Sequence, residues 1–303
     1  MFRVYPLGVT KNTRMGNAGS HREVIPKGEA PILGTLAANV NVISFQGFRS
    51  TMEDAYCVID RPTVKLYAVF DGHCGDGAVD FTSRHLLFEL ASAEDDKSIE
   101  QAFVDTEARF KASRYSPPSS EHNPIEGAPP PLKLTSDVSG TCATVAIRVR
   151  DELIIANVGD CTAMLISHDG SYTILSKAHR LEGEVRAEEE ARIVAAGSYV
   201  EDKRVKGELA VSRAIGDFQY KGNQLEPHLQ AVTCIPSISR HQILSSHKFL
   251  LLFSDGVGDG MSNDEIRDVF MAEPDHTSAM FATVLTSHEV SRDNTVLMCI
   301  VLS

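Results

Sequence analysis

Val69-Phe70-Asp71-Gly72-His73 sets a carboxylate, a glycine and a histidine at the end of an apolar run, where the backbone has to turn. Asp and Gly are ordinary turn residues, so alone this stretch is a common strand-to-helix corner. The pattern recurs. Ala156-Asn157-Val158-Gly159-Asp160, Phe253-Ser254-Asp255-Gly256 and Arg292-Asp293-Asn294 each put an aspartate at the edge of an apolar run, Asp259 follows closely, and Glu53-Asp54 lies between two further runs. If these edges meet, several carboxylates without neighbouring lysines share a small volume. Like charges that close cannot all stay ionised unless cations lie between them. Oxygen donors without paired Cys or His select Mg²⁺ or Mn²⁺ over zinc. Two such ions can lower the pKa of a bridging water and orient a phosphoryl group for in-line attack. An EF-hand loop is excluded, because two positions beyond Asp71 and Asp255 stand His73 and Val257 instead of Asp or Asn.

Two further residues suit the same chemistry. Arg49, just upstream of Glu53, can hold a phosphate in a fork of two hydrogen bonds, which a planar guanidinium does better than lysine. His73, two residues past Asp71, can protonate a leaving alkoxide. Each residue has an ordinary alternative, with Arg49 in a surface ion pair and His73, Asp160 and Asp255 as turn formers. The set together, not any single member, carries the reading. Direct attack by water is the expected route, since no cysteine lies in the phosphate-loop context of a covalent phosphatase.

The elements that must position these residues are mostly short strands. Val40–Phe45, Ala55–Ile59 and Lys65–Phe70 form a meander, followed by helical spacing over Ala78–Ala91 and Ile99–Phe110. Ser116–Pro131 holds six prolines and reads as an exposed loop. Beyond it, Gly140–Val149, Glu152–Asn157, Ala163–Ser167 and Tyr172–Leu175 are strands too closely spaced for βαβ crossovers, which implies antiparallel hairpins. Glu182–Ala196 reads as a helix with Glu188-Glu189-Glu190 on a solvated face and Gly197 as its cap. Strands at Ala231–Ser239 and Phe249–Phe253, helices at Asn263–Met271 and Thr277–Glu289, and a last strand at Thr295–Leu302 complete the chain. Residues 1–38 are Gly-rich, basic and unpatterned and read as a flexible arm; residues 39–303 read as one domain. The expected class is α+β, an antiparallel sheet pair with helices packed outside.

Composition narrows the partners. The 303 residues are 43% hydrophobic and 23% charged, as in soluble globular proteins, with a formal net charge of -12. A net negative surface argues against nucleic acid and anionic membrane as partners. Cys57, Cys74, Cys142, Cys161, Cys234 and Cys299 are scattered without a C-x-x-C pair, which implies buried reduced thiols in a cytosolic setting. No signal-peptide core and no apolar run of spanning length is present, so neither secretion nor a membrane span is expected. Met15-Gly16-Asn17-Ala18-Gly19-Ser20 matches an N-myristoylation pattern, which would operate only if Gly16 became N-terminal.

Seven segments in order, Gly47-Phe48-Arg49-Ser50-Thr51-Met52-Glu53-Asp54, Val69 to His73, Ser139-Gly140-Thr141-Cys142-Ala143, Ala156 to Asp160, Leu209 to Asp217, Ser254-Asp255-Gly256 and Ser291-Arg292-Asp293-Asn294, resemble the motif set of the protein phosphatase 2C family of metal-dependent serine/threonine phosphatases. The match spans about Val40 to Leu302. The resemblance implies a β-sandwich of two antiparallel sheets flanked by helices, with a dinuclear Mg²⁺ or Mn²⁺ centre at one end and phosphoprotein substrates. By the same resemblance, Asp71 bridges both ions and the Gly72 carbonyl binds one, with Glu53, Asp54, Asp255 and Asp293 completing the set. Asp160 and Asp259 match positions that in similar proteins hold a weaker third ion together with Asp255. Arg49 matches the phosphate-binding arginine, His73 the general acid and Arg204 a basic residue near the substrate. The chain departs from the pattern at Cys74, at Gly258 where the family has a large aromatic, and over Lys177–Gly183, which lacks the usual His-x-Pro although His179 is nearby. Gly258 and the altered Lys177–Gly183 segment leave a catalytically weak phosphoprotein-binding scaffold as one rival reading, and the acidic surface leaves a small-metabolite phosphatase as another. A monomer in the cytoplasm or nucleus is expected.

Overall fold

The computed structural model describes residues 30–116, 133–134, 137–222 and 224–302. The expected arm up to residue 29, the pattern at Gly16 and nearly all of the proline-rich segment Ser116–Pro131 lie outside the described residues. The first third of the chain builds β1 (Ile32–Ala37), β2 (Val40–Phe45), β3 (Asp54–Asp60) and β4 (Lys65–His73), then α1 (Gly77–Leu90) and α2 (Asp96–Ser113). A two-residue pair, β5 (Tyr115–Ser116) and β6 (Lys133–Leu134), precedes β7 (Gly140–Val149), β8 (Glu152–Val158), β9 (Thr162–Ser167) and β10 (Tyr172–Ile174). The middle holds α3 (Arg186–Ala195) and the short strands β11 (Val200–Glu201), β12 (Arg204–Val205) and β13 (Ile215–Gly216). The last third runs through β14 (Ser237–Gln242), β15 (His247–Phe253), α4 (Asp255–Gly258), α5 (Asn263–Ala272), α6 (His276–Ser291) and β16 (Thr295–Val301).

Two antiparallel sheets face each other. One has the order β1-β2-β16-β15-β9-β10, the other β14-β8-β7-β4-β3 with β13 added to β7. Side chains alternate across each strand, and both faces of the central strands β4, β7, β8, β15 and β16 are covered, so these strands are apolar on both sides, while the edge strands β10 and β14 are partly exposed. Tyr67 and Val69 of β4, Leu250 and Leu252 of β15 and Val296 and Met298 of β16 fill the space between the sheets. Leu66, Ala68 and Phe70 point the other way, against Leu86, Leu87 and Leu90 of α1 and Phe103 of α2. Leu251, Phe253 and Leu297 pack outward against Phe270 of α5 and Met280 and Val284 of α6. This is the α+β sandwich flanked by helices that the strand pattern implied.

Five local expectations change. The first three expected strands do not form one meander: β2 pairs with β1 and β16 in one sheet, while β3 pairs with β4 in the other, because the segment of residues 46–53 carries the chain across the sandwich. Ile32–Ala37, inside the expected arm, is an edge strand paired with β2, and Leu36 is buried in the inter-sheet core. Its Gly and Thr break the alternation that would have marked it. The strand expected from Ala231 starts only at Ser237, after Pro236, which has no N–H to give to a ladder. The helix expected from Glu182 begins with a 3₁₀ turn at Gly183–Val185 before α3, with Gly197 in the left-handed conformation after its end. Within the acidic run, Glu189 is fully buried and not on a solvated face. The six cysteines are all free and five are buried; Cys74 is exposed, with φ 58°.

Candidate metal centre

The period of two that packs the core also delivers the carboxylates. Asp71 continues the inward-facing series Tyr67, Val69, and Asp54 lies directly opposite it across the β3–β4 pair, in series with Val58. Ser254 continues Leu250 and Leu252 past the end of β15, and its hydroxyl donates to Asp54 Oδ2 at 2.6 Å. Each strand thus carries apolar side chains into the sandwich until it reaches one end, and there the inward position becomes polar. Asp255 follows at the start of the one-turn helix α4. Gly256 is required there, because a Cβ would fall 2.0 Å from the Asn294 carbonyl oxygen.

Asp71, Asp160 and Asp255 each offer an oxygen within 4.8 Å of the others. Burial raises the Asp71 carboxyl well above its ordinary value, and Asp255, Asp54 and Asp160 raise it further. Asp54 is raised in the same way, first by burial, against the pull of its Ser254 hydrogen bond. Asp255 is pushed up to about 7 by burial and by Asp160. Crowded, partly desolvated carboxylates of this kind are short of positive charge. Their donors are oxygens only, so the set fits hard divalent ions and not zinc or copper.

Glu53 and Asp293 border this group on a loop and at a strand entry. Glu53 Oε1 accepts from the Thr51 hydroxyl at 2.9 Å, and its backbone N–H donates to Asn294 Oδ1 at 2.8 Å. The Asn294 amide then donates to the Gln46 and Thr51 carbonyls at 2.8 and 3.0 Å, tying the arginine-bearing loop to the start of β16. The same loop is pressed on α6. A Cβ on Gly47 would lie 2.0 Å from His288 Cε1, and Phe48 stacks on that imidazole at 4.8 Å. Arg49 projects into solvent from this brace and donates through one terminal nitrogen to Asp293 Oδ2 at 2.6 Å. Gly72 is held by its N–H to the Glu53 carbonyl at 3.0 Å, where a Cβ would approach that oxygen to 2.4 Å.

His73 Nε2 lies 2.7 Å from Oδ2 of Asp217, a fully buried carboxylate with φ 51°. Burial works against the charged imidazole, but the Asp217 hydrogen bond and charge outweigh it and raise the His73 pKa. A Cβ on Gly140 would lie 2.0 Å from Asp217 Oδ2 and 2.4 Å from His73 Nε2, so this glycine makes room for the pair. Asp217 closes the segment Leu209–Asp217, and nothing in that segment by itself marks it as the partner of His73.

Arg180 reaches three of the carboxylates. Its Nε donates to Asp160 Oδ2 at 2.7 Å, Nη1 to Asp259 Oδ1 at 2.8 Å, and Nη2 to Asp255 Oδ2 and Asp259 Oδ2 at 3.1 Å each. The expected third-ion residues therefore do meet, but around a guanidinium. A lone arginine in a loop gives no sequence signal of such a position. Gly258 leaves ordinary space, its nearest neighbour being Phe253 Cε2 at 3.6 Å from a built Cβ. His179 is buried with Nδ1 against the Gly159 backbone and its pKa lowered to about 3, chiefly by burial, which makes it a structural neutral imidazole. Arg204 is bonded within its own hairpin, to the Glu208 carbonyl at 2.7 Å, and to none of the carboxylates above.

A sequence profile described as Protein phosphatase 2C matches residues 38–295. The chain is 36% identical over 239 residues to Probable protein phosphatase 2C 6 of Paramecium tetraurelia, covering 77% of this chain and 78% of that protein. It is 35% identical over 230 residues to Protein phosphatase 2C homolog 3 of Schizosaccharomyces pombe, covering 74% of this chain and 52% of that one. Among solved structures it is similar to a phosphatase from a pathogenic strain of Toxoplasma gondii, with a TM-score of 0.71 at 25% identity, covering 86% of this chain and 92% of that one.

Proposed function

The chain belongs to the protein phosphatase 2C family, and from that premise we propose that it removes phosphate from phosphoserine and phosphothreonine in proteins, a metal-dependent hydrolysis at the acidic end of the sandwich. The observation that carries this reading is the crowding of Asp54, Asp71 and Asp255 at one end of the sandwich, where burial and neighbouring carboxylates raise all three carboxyls. Two ions, Mg²⁺ or Mn²⁺, bound at such a set supply Lewis-acid polarisation of the phosphoryl group and acidify water for attack at neutral pH.

The residues that would hold the ions are Asp71, Asp54, Glu53, Asp255 and Asp293, with the Gly72 carbonyl. Arg49 binds the substrate phosphate. Its one bond to Asp293 leaves most of its five donors free, and the Asn294 and His288 brace holds the loop that carries it. His73 gives a proton to the serine or threonine oxygen as the ester bond breaks, and Asp217 keeps the imidazole oriented and protonated for that transfer. Arg204, on an exposed hairpin, serves as a contact for the phosphoprotein beyond the phosphate.

A reducing, cytoplasmic or nuclear setting is supported by six free cysteines, and no helix of the described residues is long and apolar enough to cross a membrane. The protein acts as a monomer in this reading. The test is hydrolysis of a phosphothreonine peptide with Mn²⁺ by the wild type and by Asp71→Asn. Equal rates, or full activity in chelator, would sink the mechanism.

A further inference from the structure

Asp160, Asp255 and Asp259 are the residues that, in similar proteins, share a third and weaker ion, and in this chain all three are bound by one side chain. The geometry points to Arg180 as a tethered cation in the place of that third ion, so that this enzyme exchanges two divalent ions with solvent and carries the remaining positive charge covalently. The inference rests on the two-ion reading above and goes beyond it in ion number and in the role of Arg180.

Three features support it. Arg180 makes four charge-assisted hydrogen bonds, two of them a fork on the two oxygens of Asp259. The oxygens a third ion would need are already occupied. Asp259 uses both on the guanidinium, while Asp160 uses Oδ2 on it and accepts the Cys142 thiol at Oδ1. Asp255 gives only Oδ2, so its Oδ1 stays available to the ions shared with Asp71. A guanidinium also cannot neutralise itself by losing a proton, and it is less strongly hydrated than an ammonium or a divalent ion, so it tolerates this half-buried position. A third divalent ion would have to displace all four bonds and then sit beside the displaced charge.

The experiment counts bound Mn²⁺ on the full chain by equilibrium dialysis with detection of free Mn²⁺ by electron paramagnetic resonance. The wild type is expected to bind two ions per chain. Arg180→Gln, which keeps hydrogen-bonding capacity without charge, is expected to bind one more, weakly. Arg180→Lys, which retains a cation, is expected to stay at two. Asp259→Asn in the otherwise unchanged chain is also expected to keep two, and this arm stands if Arg180→Gln does not fold. Three ions on the wild type, no gain in a folded Arg180→Gln, or loss of an ion in Asp259→Asn would overturn the inference and leave the two-ion reading in place. Fewer than two ions on the wild type would overturn that reading itself, and the inference with it.

Discussion

Two groups of carboxylates are withdrawn from water in this protein, and their protonation equilibria move in opposite directions. Glu189 of α3 is fully buried, yet its pKa is lowered to about 2. Burial pushes it up, but hydrogen bonds and charge from Arg213 and Arg192 more than reverse that. Arg213 holds it in a fork, with Nη2 at 2.6 Å and Nε at 3.0 Å from Oε1, and Arg192 Nη2 lies 2.7 Å from Oε2. At the end of the sandwich Asp54, Asp71 and Asp255 are raised instead, because burial and like charge act together, and at Asp54 the Ser254 hydrogen bond and the Arg49 charge offset only part of the excess. The first network is closed, with every charge answered by a neighbour in the chain. The second is open, and its missing charge has to come from outside. A buried acid is therefore no mark of function by itself; the mark is a shortage of partners.

The contrast can be broken at its strongest point with Asp71→Asn. Phosphopeptide hydrolysis should fall on the order of 10³-fold, the scale of removing a preorganised electrostatic group. The metal-free variant should melt no lower than the metal-free wild type, since one member of a repelling set is gone. Glu189→Gln should do the reverse. Removing one partner of a buried ion network costs about 3–5 kcal/mol, read as a lower urea midpoint, while kcat per folded molecule changes little. A stable Glu189→Gln would mean that the closed network is dispensable.

Gly140→Ala forces a methyl into the His73–Asp217 contact, and kcat should drop about 10²-fold, the scale of a general acid, with Mn²⁺ affinity retained. Loss of metal binding with kcat unchanged would argue against His73 as the acid. The two networks also separate by pH. Asp255 has a folded pKa of about 7 against an ordinary 3.8, so the folded state retains a proton that the unfolded chain releases. Its contribution to stability is complete below about 3.8 and is lost as pH rises through about 7. Glu189, lowered to about 2 from an ordinary 4.5, contributes above 4.5 and loses that contribution as pH falls through about 2. In chelator, then, the melting temperature should decline between pH 4 and pH 7, and Mn²⁺ added at pH 7 should restore it. A flat profile over that range would remove the charge shortage from the account. The smallest effect is expected for Asn294→Ala. It frees the Arg49 loop and should raise KM for the phosphopeptide by roughly 5- to 10-fold, in line with about 1–1.5 kcal/mol for lost hydrogen bonds, with kcat less affected.

The sequence by itself determined the ingredients of the centre and the kind of fold that could assemble them. Asp71, Asp160, Asp255 and Asp293 stand at the ends of apolar runs, and the hairpin-length spacing of those runs excludes a parallel sheet, because turn chemistry and the period of two are local properties of the chain. What the local pattern cannot hold is a partnership between distant residues. Arg180 lies 75 residues before Asp255 in the chain, Asp217 lies 144 after His73, and Asn294 lies 241 after Glu53. None of the three differs, as a residue type in its own segment, from an ordinary loop residue. Glu188-Glu189-Glu190 makes the same point in reverse: three identical side chains in a row read as one solvated face, and only packing against Arg192 and Arg213 singles out the middle one. Charge is summed over space, and the chain is written in order. The count of carboxylates was visible in the sequence, but whether each would be answered by an arginine or left for a metal ion was decided only when the sheets closed on each other.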